Sequence, residues 1–227
     1  MLADPAWVGN LTEPDLGFDP DYWKSRGDFS TVSGGRGSAW FIACGSEQWV
    51  LRHYRRGGFV ARVASDRYVW CGERKVRAFA EWRLLAILHA RGLPVPKPIA
   101  ARYQRAGVFY RCDLVTQRIP NSQPLSALLE QPALDHVPWW AIGQAIARLH
   151  TAGVDHADLN AHNILVDGQG AVSIIDFDRG RLRAAGIWRA ENLSRLQRSL
   201  RKIGRDLPPG RIAARGWTDL VAGYRAG

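Results

Sequence analysis

Hydrophobic and polar positions alternate along the first half of the chain. Between residues 30 and 63, Trp, Phe, Ile, Val and Tyr are interrupted by polar residues and glycine-rich turns, which is typical of consecutive antiparallel strands. Residues 101–119 repeat this pattern, with Ala106 and Gly107 at the turn of a hairpin. The pattern predicts an antiparallel sheet. Residues 1–30, rich in Asp, Pro and Gly, predict an extended leader with room for one helical turn.

The apolar residues change to helical spacing between residues 74 and 92. The positions that share one predicted face are Val76, Phe79, Ala80, Leu84 and Leu88. Gly92 should end this helix, and the prolines of residues 93–101 prevent its continuation.

The second half of the chain has mainly helical patterns. Residues 124–131, 137–153 and 188–204 predict helices, and the last of them is basic and amphipathic. Two short apolar runs, at residues 163–167 and 171–177, are joined by Gly-Gln-Gly and predict a pair of strands. We therefore predict an α+β fold with a small N-terminal antiparallel-sheet lobe, one main helix in that lobe, and a reduced, mainly helical C-terminal lobe. A cleft between the lobes is the expected ligand site.

Composition and charge add two constraints. The 227 residues are 46% hydrophobic and 23% charged, which is typical of a globular protein. Thirty-one Lys and Arg against 21 Asp and Glu give a formal charge of +10, which favours polyanionic partners such as nucleotide phosphates, nucleic acid or an anionic membrane. A coding bias towards arginine explains the same charge, so charge alone does not choose a function.

The sequence predicts neither a metal site formed by cysteines nor a membrane-spanning helix. Cys44, Cys71 and Cys112 are an odd number with no CxxC pair, which favours incidental thiols in a reducing compartment. No apolar stretch is long enough to cross a bilayer, and the first residues lack the layout of a secretory signal. We therefore expect a protein that stays in the cytosol.

The candidate catalytic and metal-binding residues lie around the strand pair predicted at residues 163–167 and 171–177. The pairing should bring Asn163, at the start of one strand, close to Asp176, at the end of the other. Amide and carboxylate oxygens are hard ligands that suit Mg²⁺ shared with phosphates. Asp158, on the preceding loop, can accept a proton from an attacking hydroxyl or orient it. His156 is expected to brace this loop by hydrogen bonds.

This order of residues resembles the protein-kinase-like fold. Residues 156–163, His-Ala-Asp-Leu-Asn-Ala-His-Asn, resemble the catalytic-loop pattern H-R-D-L-x-x-x-N, and Asp-Phe-Asp at 176–178 resembles the metal-binding D-F-G. The resemblance implies Asp158 as catalytic residue, with Asn163 and Asp176 as Mg²⁺ ligands. Asp178 replaces the glycine, no A-P-E follows, and about 50 residues remain after Asp176. These departures disfavour a peptide substrate.

The first half should then bind ATP. Gly35 and Gly37 match part of the phosphate-binding pattern G-x-G-x-x-G, although Trp40 stands in the place of its last glycine. Arg52 occupies the strand position at which kinases carry a phosphate-binding lysine, and Glu81 is its predicted helix partner. A solvated arginine and a surface carboxylate are the alternatives for this pair, and Arg62 and Glu73 are the alternative residues.

Several segments together resemble one kinase family. Residues 35–41, 49–58, 77–101, 156–165, 174–183 and 192–202 resemble the 3-deoxy-D-manno-octulosonic acid (Kdo) kinases of Gram-negative bacteria, over roughly residues 30–205. The resemblance implies transfer of the γ-phosphate of ATP to the 4-hydroxyl of Kdo on a lipid A precursor. It also implies peripheral contact with the cytoplasmic face of the inner membrane, for which residues 53–62 and 195–202 are candidate docking segments. The expected domains are an extension at 1–30, a nucleotide-binding lobe at 31–118 and a catalytic lobe at 119–227.

Other functions stay open at this point. A kinase for a core heptose or an aminoglycoside would use the same motifs, and a non-catalytic kinase-like binding module is the alternative that Arg52 and Asp178 suggest. A nucleic-acid binder would use the same positive charge, but the sequence has no RNA-binding aromatic motif or zinc finger. We expect no nucleic-acid partner, and no protein partner is evident.

Overall fold

The computed structural model describes the chain in six segments, residues 1–11, 13–31, 39–55, 66–131, 137–208 and 214–227. Internal contacts divide the chain into two compact units. The N-terminal unit comprises residues 1–86 and 97–118, and the C-terminal unit comprises residues 87–96 and 119–227.

The N-terminal unit is built on an antiparallel sheet. Its strands are β1 (Leu2–Ala3), β2 (Phe29–Thr31), β3 (Ala39–Cys44), β4 (Glu47–His53), β5 (Tyr68–Val69), β6 (Pro98–Ala106) and β7 (Phe109–Gln117). They lie in the order β1-β6-β7-β4-β3-β2, and β5 pairs with the first residues of β7. Gly107, at a φ of 59°, turns the β6–β7 hairpin, so the hairpin that the sequence predicts is confirmed.

The first 30 residues are not the extended leader that their composition predicts. They form helices α1 (Pro5–Asn10) and α2 (Pro20–Ser25), each of which begins with an Asp-Pro pair. Asp4 and Asp19 accept hydrogen bonds from backbone N–H groups two residues ahead, and proline fits the first helical position. Trp7 and Trp23 are fully buried and join Trp49 of β4 in one aromatic cluster. Burial of these rings, which propensity alone does not reveal, makes the segment part of the core.

Helix α3 (Arg77–Ala90) confirms the helix predicted around residues 74–92. Phe79, Leu84 and Leu88 are buried, whereas Ala80 is exposed, so one position of the predicted face is wrong. Gly92 has a φ of 66° and donates to the carbonyl of His89, which ends the helix where the sequence predicts.

The C-terminal unit combines helices with two small antiparallel sheets. Its helices are α4 (Leu125–Glu130), α5 (Trp139–Thr151), α6 (Trp188–Gly204) and α7 (Ala214–Ala226). Its strands are β8 (Ser122–Pro124), β9 (Val154–Asp155), β10 (Ile164–Asp167), β11 (Val172–Ile174) and β12 (Arg181–Leu182), which pair in the orders β11-β10-β8 and β12-β9. Within the described segments no helix combines the length and the apolar character needed to cross a membrane.

Helix α7 has no counterpart in the sequence prediction, and it packs on α5 through glycines. A Cβ atom at Gly143 of α5 would lie 2.1 Å from the backbone oxygen of Leu220, and one at Gly223 of α7 would lie 2.2 Å from that of Trp140. Gly216 is covered in the same way by the Trp139 ring. These glycines lower the helix propensity of the segment, but they allow the two backbones to approach closely. Tertiary packing therefore stabilises a helix that local pattern does not predict.

We expect Gly143→Ala to destabilise the protein. The added Cβ would overlap backbone atoms of α7, which cannot rotate away as a side chain can, so the helices must separate; such overpacking costs about 1–3 kcal/mol. Gly9→Ala is the matched control, because Gly9 is also helical and has open space where its Cβ would lie. Urea unfolding of the two variants measures the difference, and equal stability would contradict the close α5–α7 contact.

Candidate active site

The loop between β9 and β10 holds Asp158 in a tight set of hydrogen bonds. The side-chain amides of Asn160 and Asn163 both donate to the backbone carbonyl of Asp158, at 3.0 and 2.9 Å. The Asn160 side-chain oxygen accepts from the backbone N–H of His162 at 2.8 Å. Asp158 itself is exposed, so its carboxylate lies on a fixed loop and faces solvent. A group in this position can bind and deprotonate a hydroxyl that arrives from outside.

His156 joins this loop to the strand end that precedes Asp176. Its Nδ1 accepts from the backbone N–H of Asp158 at 3.2 Å, and its Nε2 lies 3.0 Å from the carbonyl oxygen of Ile175. A neutral imidazole protonated on Nε2 satisfies both contacts, since one nitrogen accepts and the other donates. Burial lowers the pKa of His156 below its usual 6.5 and so favours this neutral form. The geometry agrees with the bracing role expected from the sequence.

Strand pairing brings the candidate metal ligands together. Ile164 of β10 faces Ile174 of β11, and the backbone N–H of Ile175 donates to the carbonyl of Asn163 at 3.0 Å. Asp176 therefore follows the residue that is bonded to Asn163. Its φ of 64° turns the chain sharply at this point, a conformation that non-glycine residues rarely adopt. The next residue, Phe177, is buried against the His156 ring, with 4.7 Å between ring centroids.

The donor chemistry of this pair fits a magnesium ion. The amide nitrogen of Asn163 is used in the bond to Asp158, so the amide oxygen faces away from that carbonyl. One amide oxygen and the carboxylate of Asp176 are hard ligands, and Mg²⁺ commonly takes one or two protein ligands and completes its shell with phosphates and water. No cluster of three or more His, Cys, Asp or Glu suited to a metal occurs among the described residues. The pair therefore suits an ion that arrives with phosphate.

Asn192 of α6 forms hydrogen bonds at the start of the β9–β10 loop, and sequence reasoning missed this residue. Its side-chain oxygen accepts from the backbone N–H of His156 at 3.0 Å. Its amide nitrogen donates to Asp155 and to the carbonyl of Trp188, at 3.0 and 2.9 Å. Asn192 is 1% exposed, and these three hydrogen bonds satisfy both polar atoms of its side chain inside the protein. The available signal was an asparagine on the apolar face of α6, beside Leu196 and Leu200.

Asp155 completes this support with an ion pair. Arg183 donates to its Oδ2 at 3.0 Å, while Asn192 holds Oδ1. Burial alone would raise the pKa of Asp155, but the hydrogen bonds from Arg183 and Asn192 outweigh it and lower the pKa. The charged carboxylate therefore fixes the strand that leads into the loop.

The N-terminal unit brings Arg52 and Glu81 together as the sequence predicts. Arg52 on β4 forms an ion pair with Glu81 on α3, and the hydroxyl of Tyr54 bonds to the same Glu81 oxygen. Arg52 also donates to the Tyr54 hydroxyl at 2.8 Å. Burial raises the pKa of Tyr54 well above 10, so the phenol remains a donor. Arg52 and Tyr54 are thus both partners of the buried Glu81 carboxylate, and sequence reasoning missed Tyr54.

The other residues predicted to bind nucleotide either lie apart from the Arg52–Glu81 pair or fall outside the described part of the chain. Glu73 is exposed and lies 3.3 Å from the Tyr103 hydroxyl and 3.8 Å from Arg83. Gly35 and Gly37, the predicted phosphate-binding glycines, lie outside the described residues, as does Arg62. Among the described residues, Arg52 and Glu81 therefore carry the nucleotide hypothesis.

Comparisons with known proteins point to one family. A sequence profile of the lipopolysaccharide kinase (Kdo/WaaP) family matches residues 20–224. A 3-deoxy-D-manno-octulosonic acid kinase of Xanthomonas euvesicatoria is 52% identical over 187 residues, which cover 82% of this chain and 74% of that protein. Proteins of the same name from Stenotrophomonas maltophilia and Vibrio parahaemolyticus are 48% and 43% identical, over 85% and 82% of this chain and 78% of each relative.

A solved structure has the same fold. The structure described as WaaP in complex with acyl carrier protein aligns with 100% of this chain and 88% of that chain, with a TM-score of 0.62 and 17% identity. This likeness confirms the predicted kinase-like fold class. The acyl carrier protein belongs to that complex.

We expect two buried histidines to make stability fall on acidification. Burial lowers the pKa of His150 from 6.5 to about 4 and also lowers that of His156. The unfolded chain therefore takes up protons near pH 6.5, where the folded chain does not, and the free energy of unfolding should fall from about pH 6.5 towards about pH 4. Each histidine contributes a slope of up to about 1.4 kcal/mol per pH unit.

Chemical unfolding of the wild type and of His156→Asn across this pH range measures the effect. Asparagine can still donate and accept, but it does not titrate, so the slope should become shallower in the variant while His150 continues to contribute. An unchanged slope would show that His156 is already protonated in the folded protein.

Proposed function

Because the chain belongs to the lipopolysaccharide kinase (Kdo/WaaP) family, we propose that it transfers the γ-phosphate of ATP to the 4-hydroxyl of a Kdo residue on a lipid A precursor. The chain is a kinase, a phosphotransferase that acts on Kdo in lipopolysaccharide biosynthesis. The relatives' names favour Kdo over a core heptose or an aminoglycoside as acceptor. The observation that carries the proposed chemistry is a set of three hydrogen bonds. Asn163 donates to the Asp158 carbonyl, and His156 links the Asp158 backbone to Ile175, the residue before Asp176.

Asp158 is the proposed catalytic residue. Its carboxylate accepts a hydrogen bond from the acceptor hydroxyl and takes the proton as the oxygen attacks the γ-phosphorus. A new oxygen–phosphorus bond forms, the bond from the γ-phosphorus to the bridging oxygen breaks, and ADP leaves with that oxygen. Such transfers depend mainly on positioning and on stabilisation of charge, so a carboxylate on a backbone held by hydrogen bonds is the contribution expected of the protein.

Asn163 and Asp176 are the proposed ligands of Mg²⁺. When bound, the ion neutralises phosphate charge and orients the phosphates. The hydrogen bond between Asn163 and the Asp158 carbonyl, at 2.9 Å, holds the amide in a single orientation. The brace from His156 fixes the backbone just before Asp176. These contacts support the proposal, because they fix the Asn163 amide and the backbone that leads into Asp176.

Arg52 is the proposed phosphate-binding cation in the place of the kinase lysine. The buried carboxylate of Glu81 and the Tyr54 hydroxyl both bond to its Nη2. An arginine binds phosphate through a planar fork and keeps its charge in an apolar setting, whereas a lysine presents a compact point charge. The pairing with Glu81 therefore supports a nucleotide role for Arg52, with Gly35 and Gly37 as further proposed contacts.

We further propose that the protein works as a peripheral protein at the cytoplasmic face of the inner membrane. The acceptor carries lipid chains, and the protein has a formal charge of +10 that attracts anionic lipid surfaces. Arg198, Arg201 and Lys202 of α6 are all exposed and are available for such attraction.

The test of the function uses Mg-ATP, a Kdo-bearing lipid A precursor and mass spectrometry to locate the added phosphate. We expect phosphate on the 4-hydroxyl with the wild type and a loss of at least ~10²-fold in kcat with Asp158→Ala, the low end of general-base effects. Nucleotide affinity should change little, because ATP does not need this carboxylate. Asp206→Ala, at another exposed aspartate of the same unit, is the control and should keep wild-type turnover. Normal turnover in Asp158→Ala would remove Asp158 from the mechanism.

A separate test concerns the metal ligands. Asp176→Asn and Asn163→Asp should each shift the magnesium dependence of nucleotide binding, since one removes a negative charge from the site and the other adds one. A fluorescent ATP analogue titrated at several magnesium concentrations gives this readout without turnover. If both variants have the wild-type magnesium curve, the ion is bound elsewhere.

A further inference from the structure

Residues 179–187, which we call the 179–187 segment, form a mostly exposed stretch directly after Asp178. Arginines alternate with apolar residues here, and no acidic residue occurs between Asp178 and Glu191. Leu182 is 43% exposed and Ile187 is 78% exposed, the highest value among the large hydrophobic side chains described as exposed. Exposed apolar residues between cations are typical of protein segments that lie in a membrane interface.

The 179–187 segment is fixed to the catalytic loop's own strand. In the β12–β9 pair, Arg181 faces Asp155 and Leu182 faces Val154. The backbone N–H of Arg183 donates to the carbonyl of Gly153 at 2.8 Å, and its side chain donates to Asp155 at 3.0 Å. The Nε of Arg181 lies 4.0 Å from the same carboxylate oxygen. The ladder and the ion pair hold the backbone of the segment in place.

Buried aromatic rings anchor the two ends of the segment. Phe177 is buried on one side, and Trp188 is buried on the other, with its Nε1 donating to the carbonyl of Ala184 at 2.8 Å. The exposed side chains of Leu182 and Ile187 are therefore carried by an ordered backbone. A surface of this kind binds without first losing the entropy of a flexible loop.

The β12–β9 pairing sets an upper limit on the distance between the 179–187 segment and Asp158, the proposed catalytic residue. Asp158 comes three residues after Asp155, which faces Arg181. With about 5 Å between paired strands and about 3.4 Å per residue, the Cα atoms of Arg181 and Asp158 lie within ~15 Å of each other. A sugar attached to a membrane-embedded lipid stays near the bilayer surface, so a membrane contact that serves this reaction has to lie about this close to Asp158.

We propose that the 179–187 segment docks on an anionic bilayer surface, with Leu182 and Ile187 entering the headgroup region and Arg179 and Arg181 against lipid phosphates. The proposal rests on the proposed function, because it takes the acceptor to be embedded in a membrane. A bilayer is the occupant that the size of the patch favours, since stable protein interfaces bury about 800 Å² per partner and two apolar side chains supply far less. Arg183 donates to Asp155 at 3.0 Å and has a structural role. Arg181 makes the longer contact with Asp155, at 4.0 Å, and its side chain is 67% exposed, so it can also reach lipid phosphates.

The central test is the double variant Leu182→Ser/Ile187→Ser in co-sedimentation with vesicles of phosphatidylethanolamine and phosphatidylglycerol. We expect the variant to lose affinity about tenfold or more, because two apolar side chains no longer leave water. The wild type should bind these vesicles and fail to bind phosphatidylcholine alone. Serine before α6 suits a helix N-terminus, so the variant should remain folded, which a thermal melt verifies.

The matched control is Val8→Ser/Val108→Ser, which removes two apolar side chains that are 55% and 66% exposed and lie outside the segment. This control should retain wild-type vesicle binding. A second variant, Arg179→Gln/Arg181→Gln, should weaken binding at low salt more than at high salt, since screening already reduces the contribution of exposed charges.

Turnover separates this proposal from the proposed function. Kdo-bearing lipid A precursor is supplied either in the vesicles or dispersed in detergent, and the ratio of the two rates should fall about tenfold in Leu182→Ser/Ile187→Ser. If the wild type phosphorylates neither preparation, the proposed acceptor is wrong, while sedimentation still decides the docking surface. Failure of the wild type to bind anionic vesicles would overturn the docking proposal, and so would equal binding by the Leu182/Ile187 variant and the wild type.

Discussion

The two hydrogen bonds of the buried His156 ring are the constraint on which the proposed active-site loop depends. One nitrogen accepts from the Asp158 backbone and the other donates to Ile175, so the loop and the strand end before Asp176 keep a fixed relation. Only a neutral ring can accept on one side and donate on the other. Burial, which lowers the pKa of His156, therefore secures the geometry as well as the charge state.

Two further buried polar groups, Asn192 and Glu81, follow the same logic, because specific partners satisfy them. Asn192 forms hydrogen bonds with the His156 backbone, with Asp155 and with the Trp188 carbonyl. A buried group left without its hydrogen bond would lower the free energy of unfolding by about 1–3 kcal/mol. Glu81 is a stronger case, since removal of one member of a buried ion pair costs about 3–5 kcal/mol. Such a pair is weak evidence for stability, because hydrophobic replacements often do as well. The clearer consequence of the pair is the orientation that it gives to Arg52.

The parts of the fold that could be predicted are those in which local pattern and tertiary packing agree. Helix α6 begins and ends at the predicted residues because its apolar face, its basic face and its length all fit one helix. The pair Arg52–Glu81 was predictable from position within strand and helix, whereas Tyr54 was not, because its role depends on burial that no spacing reveals. Residues 1–30 and α7 were missed for the converse reason. Their stability comes from tryptophans and close helix packing rather than from periodicity.

The same network explains how the chain after Asp176 differs from the activation segment of a regulated kinase. A segment that is switched by phosphorylation has to exchange between ordered and disordered states. Here the β12–β9 ladder, the Arg183–Asp155 ion pair and the buried Trp188 hold the backbone, and Asp178 stands where a flexible glycine would. Asp155 also accepts a hydrogen bond from Asn192, so the segment and the proposed catalytic loop are held by the same carboxylate. If the segment after Asp178 became disordered, the loop that carries Asp158 would lose the same contacts. These contacts therefore favour a loop that stays ordered at all times.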